Sequence, residues 1–178
     1  MRVIPVVNAK TFGELRAGLE RAKKFSKWAH VDVADQTFTD YETWKNPAEL
    51  DLLLEDSPKI ELHLMIKVDR SSIRKWIKER VARIIVHVEA SDDIESVIKV
   101  IKKEKRECGV ALKRETSVST IQKLIPFIDQ VLVLAVTPGP AGQRFDDATI
   151  EKIRAIRAME TSLTNDQRPT TNDSRICV

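Results

Sequence analysis

In AHVDVADQTF, residues 29–38, the apolar residues Val31 and Val33 alternate with His30 and Asp32. Alternation of this kind is the period of a β-strand, so His30 and Asp32 share one face. Asp35 follows where the run gives way to turn residues. A histidine and an acid occupy positions where a strand buried on both sides needs valine.

Outward from this run, short apolar segments alternate with longer periodic ones. Strands are expected at 3–7, 28–33, 60–65, 83–88, 109–112 and 131–136. Thr11 with Glu14 three residues on has the capping-box spacing, and a helix is expected from there to about Lys24. Asn46 and Pro47 open a second helix as cap and first-turn proline. Further helices are expected near 71–79, 94–103, 119–124 and 147–157. The strands read as dense in Val, Ile and Leu on both faces, the pattern of a parallel sheet covered by helices. Six βα units in a row mean an α/β fold. An open doubly wound sheet and a (β/α)₈ barrel both satisfy that pattern. No G-x-G-x-x-G follows the first strand, which counts against a dinucleotide site. After about Arg157 the chain turns rich in Thr, Asn, Asp and Ser. Residues 158–178 are expected to be a polar, disordered tail beside a domain at 1–157.

The 178 residues suffice for one domain with a sizeable core. Thirty basic against 27 acidic residues leave a net charge of +3, which gives no argument for nucleic acid or an anionic membrane. Lys102, Lys103, Lys105 and Arg106 are interleaved with acids and fit a solvated helix face. Cys108 and Cys177 form no C-x-x-C pair, so a reducing cytoplasm is expected. The start MRVIPVVNAKTF is too short an apolar run for a signal peptide, and no membrane span is expected.

All three histidines, His30, His63 and His87, fall in expected strands. Each has a same-face neighbour two residues on: Asp32, Met65 and Glu89. In parallel α/β folds, ligands bind at the C-terminal strand ends. A single strand histidine is usually a hydrogen-bonded core residue. Three, two of them with same-face acids, fit the first shell of a divalent cation such as zinc, iron or manganese. VTPGPAGQRF, residues 136–145, follows the sixth strand, and its glycines let backbone approach an anion. Asn8, just after the first strand, suits a site or a turn.

HVDVAD (30–35), ELHLMI (61–66), VHVEA (86–90), GVALKRETSV (109–118) and VLVLAVTPGPAGQRF (131–145) occur in one order. Together they resemble the ribulose-phosphate 3-epimerase family, whose members are (β/α)₈ TIM-type barrels. The resemblance runs from about Val3 to Arg157. It implies metal-dependent inversion at carbon 3 between D-ribulose 5-phosphate and D-xylulose 5-phosphate through an enediolate. It implies His30, Asp32 and His63 as metal ligands, and Asp32 as the acid/base group on one substrate face. It further implies substrate contacts from His63 and Met65, and a phosphate loop of Gly139, Pro140, Ala141 and Gly142; Asn8, facing the same way as Val6, is expected to add a substrate contact in place of the family's serine. The partner implied is a small phosphorylated sugar, with homo-oligomerisation left open.

The sequence also departs from the family pattern. The second catalytic aspartate, carried by a VDGG-like seventh strand, has no counterpart, and the glycines that follow strands seven and eight are missing. The barrel is therefore expected to be incomplete, with about six βα units and without strands seven and eight. Val6 stands where the family often has serine, Ala34 and Gln36 where it has Met and Gly, and Leu134 where it has Met. A non-catalytic remnant or binding protein of the same fold is the alternative reading.

Overall fold

The structure is a computed structural model and describes residues 3–136, 146–167 and 176–177. Seven strands form one sheet: β1 (Val6–Val7), β2 (Trp28–Ala34), β3 (Lys59–Met65), β4 (Val81–His87), β5 (Glu107–Leu112), β6 (Gln130–Val133) and β7 (Ile176–Cys177). Three α-helices, α1 (Phe12–Lys23), α2 (Ile94–Lys103) and α3 (Ala148–Gln167), lie between them in sequence. The sheet order is the chain order, β1 to β7, and every pairing is parallel. A doubly wound sheet reverses its strand order at a switch point. This one never does, so the architecture is that of an incomplete, curled TIM-type barrel.

The cap of α1 forms as its sequence dictates. Thr11 Oγ1 accepts from the Glu14 N–H at 3.2 Å, and Glu14 Oε2 accepts from the Lys10 N–H at 2.7 Å. Leu15, Gly18, Leu19 and Ala22, spaced as one helical stripe, are buried. A Cβ at Gly18 would sit 2.4 Å from Val7 Cγ1, so only glycine lets α1 approach β1 this closely.

Three expected helices are instead short 3₁₀ segments. Pro47–Leu52 begins with Asn46 accepting from the Ala48 N–H, Ser72–Trp76 follows β3, and Val118–Ile121 with Ile125–Phe127 follows β5. Runs of three to six residues are too short to repay α-helix nucleation and settle into the tighter turn. In contrast, α3 runs ten residues past its expected end at Arg157, to Gln167. No glycine or proline occurs between Gly142 and Pro169, so nothing breaks it earlier. Ile176–Cys177, where no strand was expected, pairs with Val131 and Leu132 of β6. Residues 168–175 of the expected tail lie outside the described residues.

The expectation of apolar residues on both strand faces holds for one face only. Ala29, Val31, Val33, Ile60, Leu62, Leu64, Ile84, Val86, Cys108, Val110, Val131 and Val133 all belong to the main core, which they share with the helices. The opposite, inner face carries Trp28, His30, Asp32, Glu61, His63, Arg83, His87, Glu107 and Gln130. Its apolar residues are Ile85, Ala111 and Leu132, a small second cluster with Leu134 packed against it, and Ala34 and Met65 at the ends of β2 and β3. Glu61, His63, His87 and Gln130 are nonetheless buried. Charge can stay buried there because it is paired. Arg83 donates to Glu61, Glu107 and Gln130, and its guanidinium lies 5.0 Å from the centroid of the Trp28 ring.

Candidate metal centre

Two strands place the cluster. On β2, His30 and Asp32 are two residues apart and point inward together. The β2–β3 register then sets Glu61 beside His30 and His63 beside Asp32. The outcome is a set of short contacts: His30 Nε2 is 3.2 Å and His63 Nδ1 2.9 Å from Asp32 Oδ1. One ligand atom from each of His30, Asp32 and His63 lies within 4.8 Å of the others. The three residues expected to share a cation are thus brought together.

Two neighbours extend the cluster on either side: Glu61, which was not expected there, and His87, one of the three histidines expected to mark a site. Glu61 Oε1 lies 2.6 Å from His30 Nδ1, and its other carboxylate oxygen accepts from Arg83. His87 Nε2 lies 2.9 Å from His63 Nε2, and His87 Nδ1 is 3.3 Å from Glu89 Oε2. Glu89 Oε1 in turn accepts from the Lys113 N–H at 2.9 Å and from the Thr116 hydroxyl. Phe38, from the segment after β2, covers His87 with ring centroids 4.7 Å apart, and Lys113 Nζ lies 4.1 Å over the Phe38 ring. The signal for Glu61 was an acid two residues before His63 on the same face. Asp35 serves the turn instead, accepting from the Thr37 N–H and hydroxyl.

Charge follows this geometry. Burial disfavours the His30 imidazolium, but hydrogen bonds and negative charge from Asp32 and Glu61 outweigh it and hold the group up at about 9. Burial likewise favours neutral Asp32, yet the bonds from His30 and His63 keep its carboxyl well below the usual range. Burial dominates His63 and pushes it down, and takes His87 down to about 4. The Glu89 carboxyl, despite burial, is held at about 2 by His87, Thr116 and the Lys113 N–H.

Counting protons tests whether a cation fits. The row Asp32–His63–His87–Glu89 has three contacts, each needing one proton between two lone pairs. Two neutral imidazoles bring only two. Protonating His63 or His87 would fill the gap, but burial opposes it. A cation on His63 Nδ1 and Asp32 removes the deficit. Two imidazoles and a carboxylate form a donor set for zinc, iron or manganese, so the residues present fit a divalent ion.

The remaining candidates are less gathered. Met65 is buried at the end of β3, on the same face as His63 and paired with Ala34. Asn8 is exposed just past β1, whose register Val6↔His30 and Val7↔Val31 brings it level with Asp32. Gly139, Pro140, Ala141 and Gly142 lie outside the described residues. No helix among the described residues is long and apolar enough to cross a membrane.

A family model described as the ribulose-phosphate 3 epimerase family matches residues 2–170. The ribulose-phosphate 3-epimerase of Chlamydia muridarum is 34% identical over 128 residues, which cover 72% of this chain and 56% of that protein. That of Mycobacterium tuberculosis (strain ATCC 25618 / H37Rv) is 29% identical over 157 residues, covering 88% of this chain and 68% of the relative. That of Treponema pallidum is 27% identical over 136 residues, 76% of this chain and 62% of the relative. The chain spans a little over half the length of the chlamydial relatives, 55% to 58%.

Proposed function

The chain belongs to the ribulose-phosphate 3-epimerase family, and from that premise we propose that it moves the proton on carbon 3 of D-ribulose 5-phosphate and D-xylulose 5-phosphate. The observation that carries this is the convergence of His30, Asp32 and His63 on the inner face of the sheet. These three residues would hold a zinc, iron or manganese ion. When bound, such an ion supplies a Lewis acid that favours the enediolate form of the substrate.

The rest is the work of the chain's own groups. Asp32 is ionised at every physiological pH, so it is ready to accept a proton. Both histidines contact its Oδ1, and Oδ2 is the oxygen on which those contacts make no demand. The C3 proton lies beside a ketone and is acidified by it, and Oδ2 takes it and returns it. Met65 borders the reacting carbons, Asn8 reaches the sugar from β1, and the backbone of 139–142 receives the phosphate. Free, buried Cys108 suits the reducing cytoplasm in which a pentose phosphate is found.

The other carboxylates of this face are committed as well: Glu61 to His30 and Arg83, Glu107 to Arg83, and Glu89 to His87, Lys113 and Thr116. That favours a second reading, a protein of the same fold that binds the sugar phosphate without inverting it. The deciding experiment supplies D-ribulose 5-phosphate to the purified chain with and without Mn²⁺ and follows the sugar by NMR. Metal-dependent change at carbon 3, lost in Asp32→Asn, supports the first reading. Saturable binding with no change at carbon 3 supports the second.

A further inference from the structure

His87 and Glu89 lie outside the ligand set, yet they complete an unbroken row that ends on a ligand. His63 turns Nδ1 toward Asp32 and Nε2 toward His87 Nε2 at 2.9 Å. His87 turns its Nδ1 toward Glu89 Oε2 at 3.3 Å. His87 is fully buried on β4, with the Phe38 ring tilted against it at 4.7 Å, so no water competes for its nitrogens and its ring is held in place.

Direction along the row is set at its far end. Glu89 Oε1 is fixed by the Lys113 N–H at 2.9 Å, a group that can only donate. Oε2 is an acceptor, so His87 Nδ1 must be the nitrogen that carries hydrogen. His87 Nε2 is then a lone pair and can only accept, so His63 must carry its hydrogen on Nε2. That leaves His63 Nδ1 as a bare lone pair, aimed at the place His30 and Asp32 also face. We propose that Glu89 and His87 are positioning residues that set the tautomer and orientation of His63, so that it offers Nδ1 to the cation; this rests on the metal reading above. Outer partners of this kind commonly govern how well a histidine ligates.

One substitution reverses the row without altering its shape. In Glu89→Gln the amide oxygen must stay on the Lys113 N–H, because an NH₂ there would meet another donor. The NH₂ therefore faces His87 Nδ1 and makes it an acceptor. His87 then donates from Nε2, His63 must accept at Nε2, and its hydrogen moves to Nδ1, where it blocks the cation.

The test is Co²⁺ titration of the purified 178-residue chain against a chromophoric chelator, with ¹⁵N spectra of the histidine side chains. Glu89→Gln is expected to weaken Co²⁺ by about 10- to 100-fold and to move the His63 hydrogen from Nε2 to Nδ1. His87→Leu is expected to lose a similar factor. His87→Gln keeps an acceptor for His63 and a donor for Glu89, and is expected to recover most of it. Wild-type affinity and an unmoved His63 hydrogen in Glu89→Gln overturn the inference. If that variant does not fold, the His87 pair decides: equal affinities for Leu and Gln overturn it. A wild-type chain that takes up no Co²⁺, or whose uptake survives His30→Ala, overturns the metal reading and this inference with it.

Discussion

Glu61 grips His30 from outside the candidate ligand set: Oε1 is 2.6 Å from His30 Nδ1, and the other oxygen accepts from Arg83. The arrangement fixes which ring nitrogen faces inward. Nδ1 carries the hydrogen that Glu61 accepts, and Nε2 is left for Asp32 and a cation. Because Arg83 is a donor only, Glu61→Gln must keep its oxygen on Arg83 and turn NH₂ toward His30. The His30 hydrogen then moves to Nε2. Co²⁺ affinity should fall by about 10- to 100-fold, read by chelator competition. Arg83 keeps Glu107 and Gln130, so unfolding free energy should drop by only about 1–3 kcal/mol in urea.

The metal-free chain should be most stable near pH 6.5. His30 titrates at about 9 when folded against 6.5 when unfolded. The native state therefore binds the extra proton between those values, and stability falls as pH rises from 6.5 to 9. His87 titrates at about 4 when folded against 6.5 unfolded, so the unfolded state binds more protons there and stability rises with pH across that window. Glu89, at about 2 against 4.5, adds a rise at lower pH. Urea midpoints measured in chelator at about pH 5, 6.5 and 9 should trace this peak. A midpoint that keeps climbing to pH 9 contradicts it. Cation binding must displace the His30 proton, so affinity should rise up to ~10-fold per pH unit until about pH 9 and then level off.

Gln36 adopts φ of 68°, the left-handed region that favours glycine, where the family resemblance leads one to expect glycine. A non-glycine residue there costs roughly 1–2 kcal/mol. Glycine gives back about 0.5–1 kcal/mol of that through its freer unfolded chain. The Gln36 side chain is exposed, so no packing is lost. Gln36→Gly should therefore stabilise the chain by about 0.5–1 kcal/mol in urea denaturation. A lower midpoint would mean that the segment carrying Phe38 needs the glutamine.

What the sequence made legible was whatever depends on one segment at a time. Alternation on β2, the Thr11 cap and the Asn46–Pro47 start are local, and each appears in the structure. The partners of His30 and His63 are not local. Glu61 meets Arg83 only because the register shifts between Ile60 and Glu61, which skips Ala82, sends Val81 to the outer core and turns Arg83 inward. A one-residue slip in register exchanges the two faces, and nothing within either strand reports it. His87 was visible as a strand histidine with an acid two residues on. Its contact with His63 needed β3 and β4 aligned side by side.

Proton exchange and inversion at carbon 3 make different demands on the site. Exchange at carbon 3 needs one base, which takes the proton, trades it with solvent and returns it to the same face. Inversion needs a second group on the opposite face. Among the described residues the inner face offers Asp32 for this work, while Glu61, Glu107 and Glu89 are held by His30, Arg83, His87 and Lys113. In D₂O with Mn²⁺, deuterium should therefore enter carbon 3 of D-ribulose 5-phosphate faster than D-xylulose 5-phosphate appears. Loss of one positioned acid/base group sets the gap at ~10²–10⁴-fold. Asp32→Asn should abolish both processes. NMR of the sugar follows label and product in one sample. Product formed as fast as label enters would mean that a second proton group acts from outside the described residues, and Asp32 would then be one of two acids.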